Sequence, residues 1–158
     1  MAFANSVLKR DSSIGVIGLV PCAIGGTSIR QWSQGSDNYN RMLSRARAAL
    51  RDGGQIRAIL WYQGESDTVD LKDAESYRGE RKSFSRYSVI LASADQGGEY
   101  LDKVRKAQMD IKLPNLRNID ALGMKLKTDR VHLSTEAEVE VGKRLADAFL
   151  QFTVSPLA

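Results

Sequence analysis

One cysteine, one histidine, three prolines and 7% aromatic residues are what this sequence is short of. The lone Cys22 excludes an intramolecular disulfide framework and fits a reducing compartment. Its place beside Pro21 in an apolar stretch reads as a packed thiol. His132 has no second histidine and no cysteine pair to join it, so nothing supports a metal site, and neither metal nor cofactor is expected. The apolar stretch from Ile14 to Ile24 follows Lys9 and Arg10 but is too short to span a bilayer. Glycines and Pro21 interrupt it, and no clean small-residue cleavage pattern precedes Gly25-Gly26. With no address in Ser155-Pro156-Leu157-Ala158 either, no membrane association and a cytoplasmic location are expected. Charge of one sign is not segregated. The net charge is +4, yet Lys72-Asp73, Glu80-Arg81-Lys82 and Asp102-Lys103 interleave the signs. Without a basic stripe carrying aromatics, nucleic acid is not expected as a partner.

What is present suits one domain over residues 1–158: 42% hydrophobic and 27% charged residues, with no repeat, linker or low-complexity tract. Ile14 to Val20 is a short continuous apolar run, the pattern of a strand covered on both faces. Ile56 to Tyr62 is a second such strand, Val89 to Ala92 a third, and Asn118 to Ala121 a short fourth. Helices are expected over Phe3–Arg10, over Tyr39–Arg51 with Tyr39, Met42, Leu43 and Ala46 in step, and over Thr68 to about Tyr87 with Tyr77 and Phe84 a heptad apart. Two more follow, from Glu99 to about Lys112 with Leu101, Val104, Gln108 and Ile111 on one side, and over Thr135–Phe152. Strands alternating with helices of this length imply βαβ units and a mainly parallel sheet.

The stretch Ile59-Leu60-Trp61-Tyr62-Gln63-Gly64-Glu65-Ser66-Asp67 passes abruptly from apolar residues to amide, carboxylates and hydroxyl. A buried strand delivers polar groups to a sheet edge in this way, and ligands of open α/β sheets sit beyond the carboxyl ends of the strands. The plainer reading is a β-to-α turn in which Ser66 or Asp67 caps the next helix. Gly25-Gly26, after the first strand, lets backbone approach a ligand and present N–H groups. Thr27 and Ser28 either line the pocket or hydrogen-bond that turn. Trp32 and Trp61 offer faces on which a sugar could stack, or serve as core anchors. In Asp129-Arg130-Val131-His132, a carboxylate three residues before the imidazole can hold Nδ1–H and leave Nε2 as a base.

Taken in order, Gly18 to Ile29 with Trp32, then Trp61-Tyr62-Gln63-Gly64-Glu65-Ser66-Asp67, then Asp129-Arg130-Val131-His132-Leu133, resemble the SGNH-hydrolase superfamily. The likeness runs from about Phe3 to Phe149 and is closest to the sialate O-acetylesterase-like domain of plant carbohydrate esterases, related to carbohydrate esterase family six. It implies a three-layer α/β/α sandwich with a mainly parallel sheet, and a serine esterase that removes acetyl groups from sugars, so acetylated carbohydrate is the expected partner. It further implies that His132 takes the proton of a nucleophilic serine, that Asp129 orients His132 with Glu65 as the second candidate, and that Gly25 or Gly26 together with the Gln63 amide forms the oxyanion hole. Thr27, Ser28, Trp32, Ser66 and Asp67 are the pocket candidates. The family's Gly-Gln-Ser-Asn type motif is not found in these 158 residues. The resemblance therefore implies a domain lacking its amino-terminal strand, with a second shortening between Phe84 and Ser93.

Overall fold

Parallel strands need partners on their edges, and three of the apolar runs find them. In the computed structural model, which describes residues 1–81, 87–90, 98–113 and 116–154, β1 (Leu60–Trp61), β2 (Tyr87–Ile90) and β3 (Arg117–Asp120) form one parallel sheet in the order β1-β2-β3. The helices are α1 (Ala2–Arg10), α2 (Asp37–Leu50), α3 (Leu71–Arg81), α4 (Leu101–Asp110) and α5 (Thr135–Val154). The alternation read from the sequence is thus an α/β arrangement with a parallel sheet.

The run Ile14–Val20 is a correction. It does not form a strand: Ser12–Ile14 is a short 3-10 turn and residues 15–24 carry no regular structure. Val16 is 98% exposed, and Leu19 and Val20 are also open to solvent. β1 pairs only with β2 among the described residues, and residues 15–24 form no ladder with its other edge, so this segment leaves its backbone groups to water. The second strand is shorter than expected, covering Leu60–Trp61, with Ile56 and Leu60 exposed along it.

Two apolar clusters hold the elements. In the first, α1 lies against α5, which also packs on β2 and β3, and Val7, Ile119, Val141, Leu145 and Phe149 are buried together. The Phe3 and Phe149 rings meet edge-on at 5.6 Å. Gly142 permits this approach: a Cβ there would lie 2.7 Å from the Ala2 Cβ and 2.9 Å from the Phe3 nitrogen. In the second cluster, Trp61 of β1 joins Ile29, Trp32, Ala74, Tyr77 and Val104, where α3 packs on α4.

Local signals set the helix ends. The Ser36 hydroxyl accepts from Tyr39 N–H at 3.4 Å at the start of α2. Asp70 Oδ1 accepts from Lys72 and Asp73 N–H at the start of α3, and Ser134 Oγ from Ala137 N–H in α5. The helix expected over 68–87 begins with a 3-10 turn over Glu65–Thr68 before α3. α2 forms where its apolar steps place it, yet none of its residues is buried. Tyr39 and Met42, partly buried, pack against the second cluster, and Leu50 is exposed. Its amphipathic pattern was written for a layer that the described residues do not lay over it. Phe84, the Phe152 side chain and the passage from Phe84 to Ser93, apart from the β2 backbone, lie outside the described residues. No helix among the described residues is long and apolar enough to cross a membrane.

Candidate active site

Because the strands are parallel, the residues after β1 and after β3 leave the same edge of the sheet. Two strand spacings, about 10 Å, separate those strands. Gln63 to Thr68 follows β1, and the chain beyond β3 runs through Ala121 to the segment holding Asp129 and His132.

The histidine segment is a tight hairpin fastened at its base. Leu126 and Leu133 form an antiparallel bridge, Lys127 N–H donates to His132 O at 2.7 Å, and Ser134 N–H donates to Lys125 O at 2.9 Å. Arg130 turns the chain with φ 58, a left-handed conformation that a side chain other than glycine adopts at a cost. Leu133 is buried and anchors the loop, while His132 stays exposed. His132 Nδ1 lies 2.9 Å from Asp129 Oδ2, and Asp129 Oδ1 accepts the backbone N–H groups of Val131 and His132, each at 2.9 Å. Those donors, the His132 N–H foremost, hold the Asp129 carboxyl down at about 2. An ionised carboxylate only accepts, so Nδ1 carries the hydrogen of this contact, which in a neutral imidazole leaves the lone pair on Nε2.

The glycine turn and the turn after β1 are joined directly. Gly26 sits at φ 69 on an exposed turn. Behind it Thr27 is buried, its hydroxyl donating to Ile24 O at 2.8 Å and accepting Trp32 Nε1–H at 2.9 Å. Gln63 Nε2 donates to Thr27 O at 2.9 Å and to Asp67 Oδ2 at 2.5 Å. Both hydrogens of the Gln63 amide are engaged in this way, and Oε1, buried, finds no donor among the described residues. Asp67 has no exposed surface and also accepts the Ile29 N–H, at 2.9 and 3.1 Å from its two oxygens. It therefore reaches 38 residues back along the chain. Burial pushes its carboxyl up to about 6 against the pull of these donors.

Ser28 and Ser66 are half-buried, and Ser28 N–H donates to Gln31 Oε1 at 2.9 Å. Glu65 is half-buried on the 3-10 turn after β1, where its backbone oxygen accepts the Thr68 hydroxyl at 2.7 Å. Trp32 and Trp61 are both buried and meet edge-to-face at 5.3 Å, so their rings contact each other and the second cluster. A cavity of about 530 Å³ at the amino end of β3, lined by Ile111, Leu116 and Arg117 among others, includes none of the site candidates.

Sequence reasoning passed over two residues that hold the site. Tyr77 and Gln108, fully buried, both donate to Gln63 O, at 2.9 and 3.0 Å, and Gln108 Nε2 lies 3.1 Å from the Tyr77 oxygen. The available signal was the amide in the apolar stripe of α4, since a polar group at a core position needs a buried partner.

A family model described as carbohydrate esterase, sialic acid-specific acetylesterase, matches residues 1–151. A probable carbohydrate esterase from Arabidopsis thaliana is 46% identical over 161 residues, covering 95% of this chain and 62% of that protein. An X-ray structure of an Arabidopsis thaliana protein superposes with a TM-score of 0.87 at 46% identity, over 94% of this chain and 66% of that one. The chain spans less than two thirds of the length of the relatives it matches.

Proposed function

Because the chain belongs to the family of carbohydrate esterases described as sialic acid-specific acetylesterases, we propose that it is a domain of a serine-type esterase that hydrolyses O-acetyl groups on sugars. The hydrogen-bonded pair of Asp129 and His132 carries this reading. In it, a serine hydroxyl attacks the acetyl carbonyl while His132 Nε2 takes its proton. The developing imidazolium is stabilised by Asp129, which is ionised throughout the neutral range. His132 then gives the proton to the departing sugar oxygen, and water releases acetate from the acyl-serine by the same steps in reverse roles. Asp129, already 2.9 Å from Nδ1, is the orienting acid in this assignment, ahead of Glu65. The backbone N–H groups of the Gly25-Gly26 turn face the carbonyl oxygen; an ordered donor of this kind lowers such a barrier by roughly 2.7–4 kcal/mol.

The parallel sheet with its two apolar clusters, and the likeness to a solved relative, support a three-layer α/β/α sandwich of the SGNH-hydrolase type. We place the nucleophile outside the residues of this chain, because no Gly-Gln-Ser-Asn type motif stands among them. That same observation favours a second reading, in which the chain binds acetylated carbohydrate without turning it over.

Incubation with O-acetylated monosaccharides, followed by proton NMR for free acetate and for shifts of the His132 ring, separates the readings. Acetate release abolished by His132→Ala supports the esterase reading and overturns the placing of the nucleophile outside this chain. Saturable His132 shifts without release support the binding reading, and neither signal at millimolar sugar refutes both.

A further inference from the structure

Two turns that meet far from each other in sequence are tied by one buried carboxylate. Asp67 has no exposed surface, and its oxygens accept the Ile29 N–H from one turn and the Gln63 Nε2–H from the other. A helix cap would not require this: Asp67 lies within a 3-10 turn of four residues and bonds across to a different segment. A neutral acceptor could take the Ile29 N–H as well. Only a group with acceptors and no donor on both arms dictates which end of the Gln63 amide is turned toward it. With Asp67 ionised, the Gln63 nitrogen faces inward, where its second hydrogen reaches Thr27 O at 2.9 Å, and Oε1 takes the opposite position. The main-chain carbonyl of Gln63 accepts from Tyr77 and Gln108, which fixes the backbone from which this side chain reaches Asp67.

We propose that Asp67 is a positioning residue for the esterase site, holding the Gln63 amide nitrogen and the Thr27–Ile29 backbone in one clamp that sets where the Gly25-Gly26 turn stands. This rests on the esterase reading for its purpose, though the clamp itself is read from geometry alone. The donors to a developing oxyanion are then the glycine-turn N–H groups, and the Gln63 amide orders them from behind. Protonation of Asp67 replaces an acceptor by an O–H donor at Oδ2, which opposes the Gln63 N–H and releases the amide.

Among the described residues, few charged or titratable groups stand around Asp67. Glu65 lies on its own turn, Asp73 and Tyr77 on α3, and Arg30, from the segment bearing Ile29, pairs with Asp73 at 2.6 Å. α4 contributes the uncharged Gln108.

The test is NMR of the intact chain with glutamine side chains labelled at nitrogen, titrated from pH 4.5 to 7.5. The Gln63 amide pair should shift together with the Thr27 and Ile29 amides, with a midpoint near the Asp67 value of about 6. His132→Ala should keep this titration, since His132 is not part of the clamp, and Asp67→Asn should abolish it. Asp67→Glu should restore part of it. A Gln63 pair that stays still across the range in the unmodified protein overturns the proposal, a result that does not depend on any variant folding. Acetate release, read separately, reports on the esterase assignment: its absence leaves the NMR outcome intact, and a fixed Gln63 amide leaves the esterase assignment intact.

Discussion

The same substitution, glycine to alanine, should act in opposite directions at two helical positions. Gly142 of α5 faces α1 so closely that an added Cβ would stand 2.7 Å from the Ala2 Cβ and 2.9 Å from the Phe3 nitrogen. Because one of those atoms is backbone, α1 as a whole must move away from α5. Such overpacking costs about 1–3 kcal/mol. Gly79 of α3 has nothing within 4 Å of the same added atom. Both replacements gain the helical preference of alanine, about 1 kcal/mol. Gly79→Ala should therefore stabilise by about that amount, while the clash offsets or exceeds the gain in Gly142→Ala. The preference cancels when the variants are compared, leaving a difference of about 1–3 kcal/mol between them. At about 2–4 °C per kcal/mol for a chain of this size, the thermal midpoints should differ by about 2–12 °C. Circular dichroism melts measure this, and hydrogen exchange should show the loss concentrated in α1. Equal midpoints for the two variants would mean that the α1–α5 contact is not as close as described.

Asp67 and Asp129 shift stability in opposite senses. Asp67 is raised from 3.8 to about 6 by burial, so its contribution is present below about pH 4 and is lost as pH rises through 6, in all about 3 kcal/mol at about 1.4 kcal/mol per unit. The stability of the unmodified protein relative to Asp67→Asn should accordingly fall between pH 4 and 7, and a constant gap in denaturant midpoints over that range contradicts it. Asp129 is lowered to about 2 by the donors of Val131 and His132, so its contribution holds above about pH 4 and disappears only as pH falls through 2. A carboxyl NMR titration of Asp129 should show its midpoint well under 3, and a value near 4 would mean that the hairpin N–H groups are not aimed at it.

The parts of this protein that were legible in its sequence are those made within a few residues. Apolar steps of three and four placed α1, α2, α4 and α5, because a helix repeats every 3.6 residues whatever surrounds it. The Asp129 and His132 pair was visible for the same reason, with carboxylate and imidazole three residues apart on a turn that one carboxylate oxygen also nucleates. Alternating strands and helices gave the parallel sheet, since parallel neighbours require a crossover between them.

Tertiary structure alone decided what depends on a distant partner. Ile14–Val20 has the composition of a buried strand, yet a strand exists only where it pairs, and among the described residues this segment pairs with none. Trp32 could be read as a sugar platform until the fold put its ring edge-on to Trp61 and its N–H on Thr27. Asp67 looked like a cap, because carboxylates at the start of a helical turn usually are. Its actual partner, the Ile29 N–H, is 38 residues away, and no local pattern specifies which buried donor a carboxylate will meet. Local geometry is fixed by neighbours in the chain, whereas burial and long-range pairing are fixed by whichever surfaces the finished fold brings together.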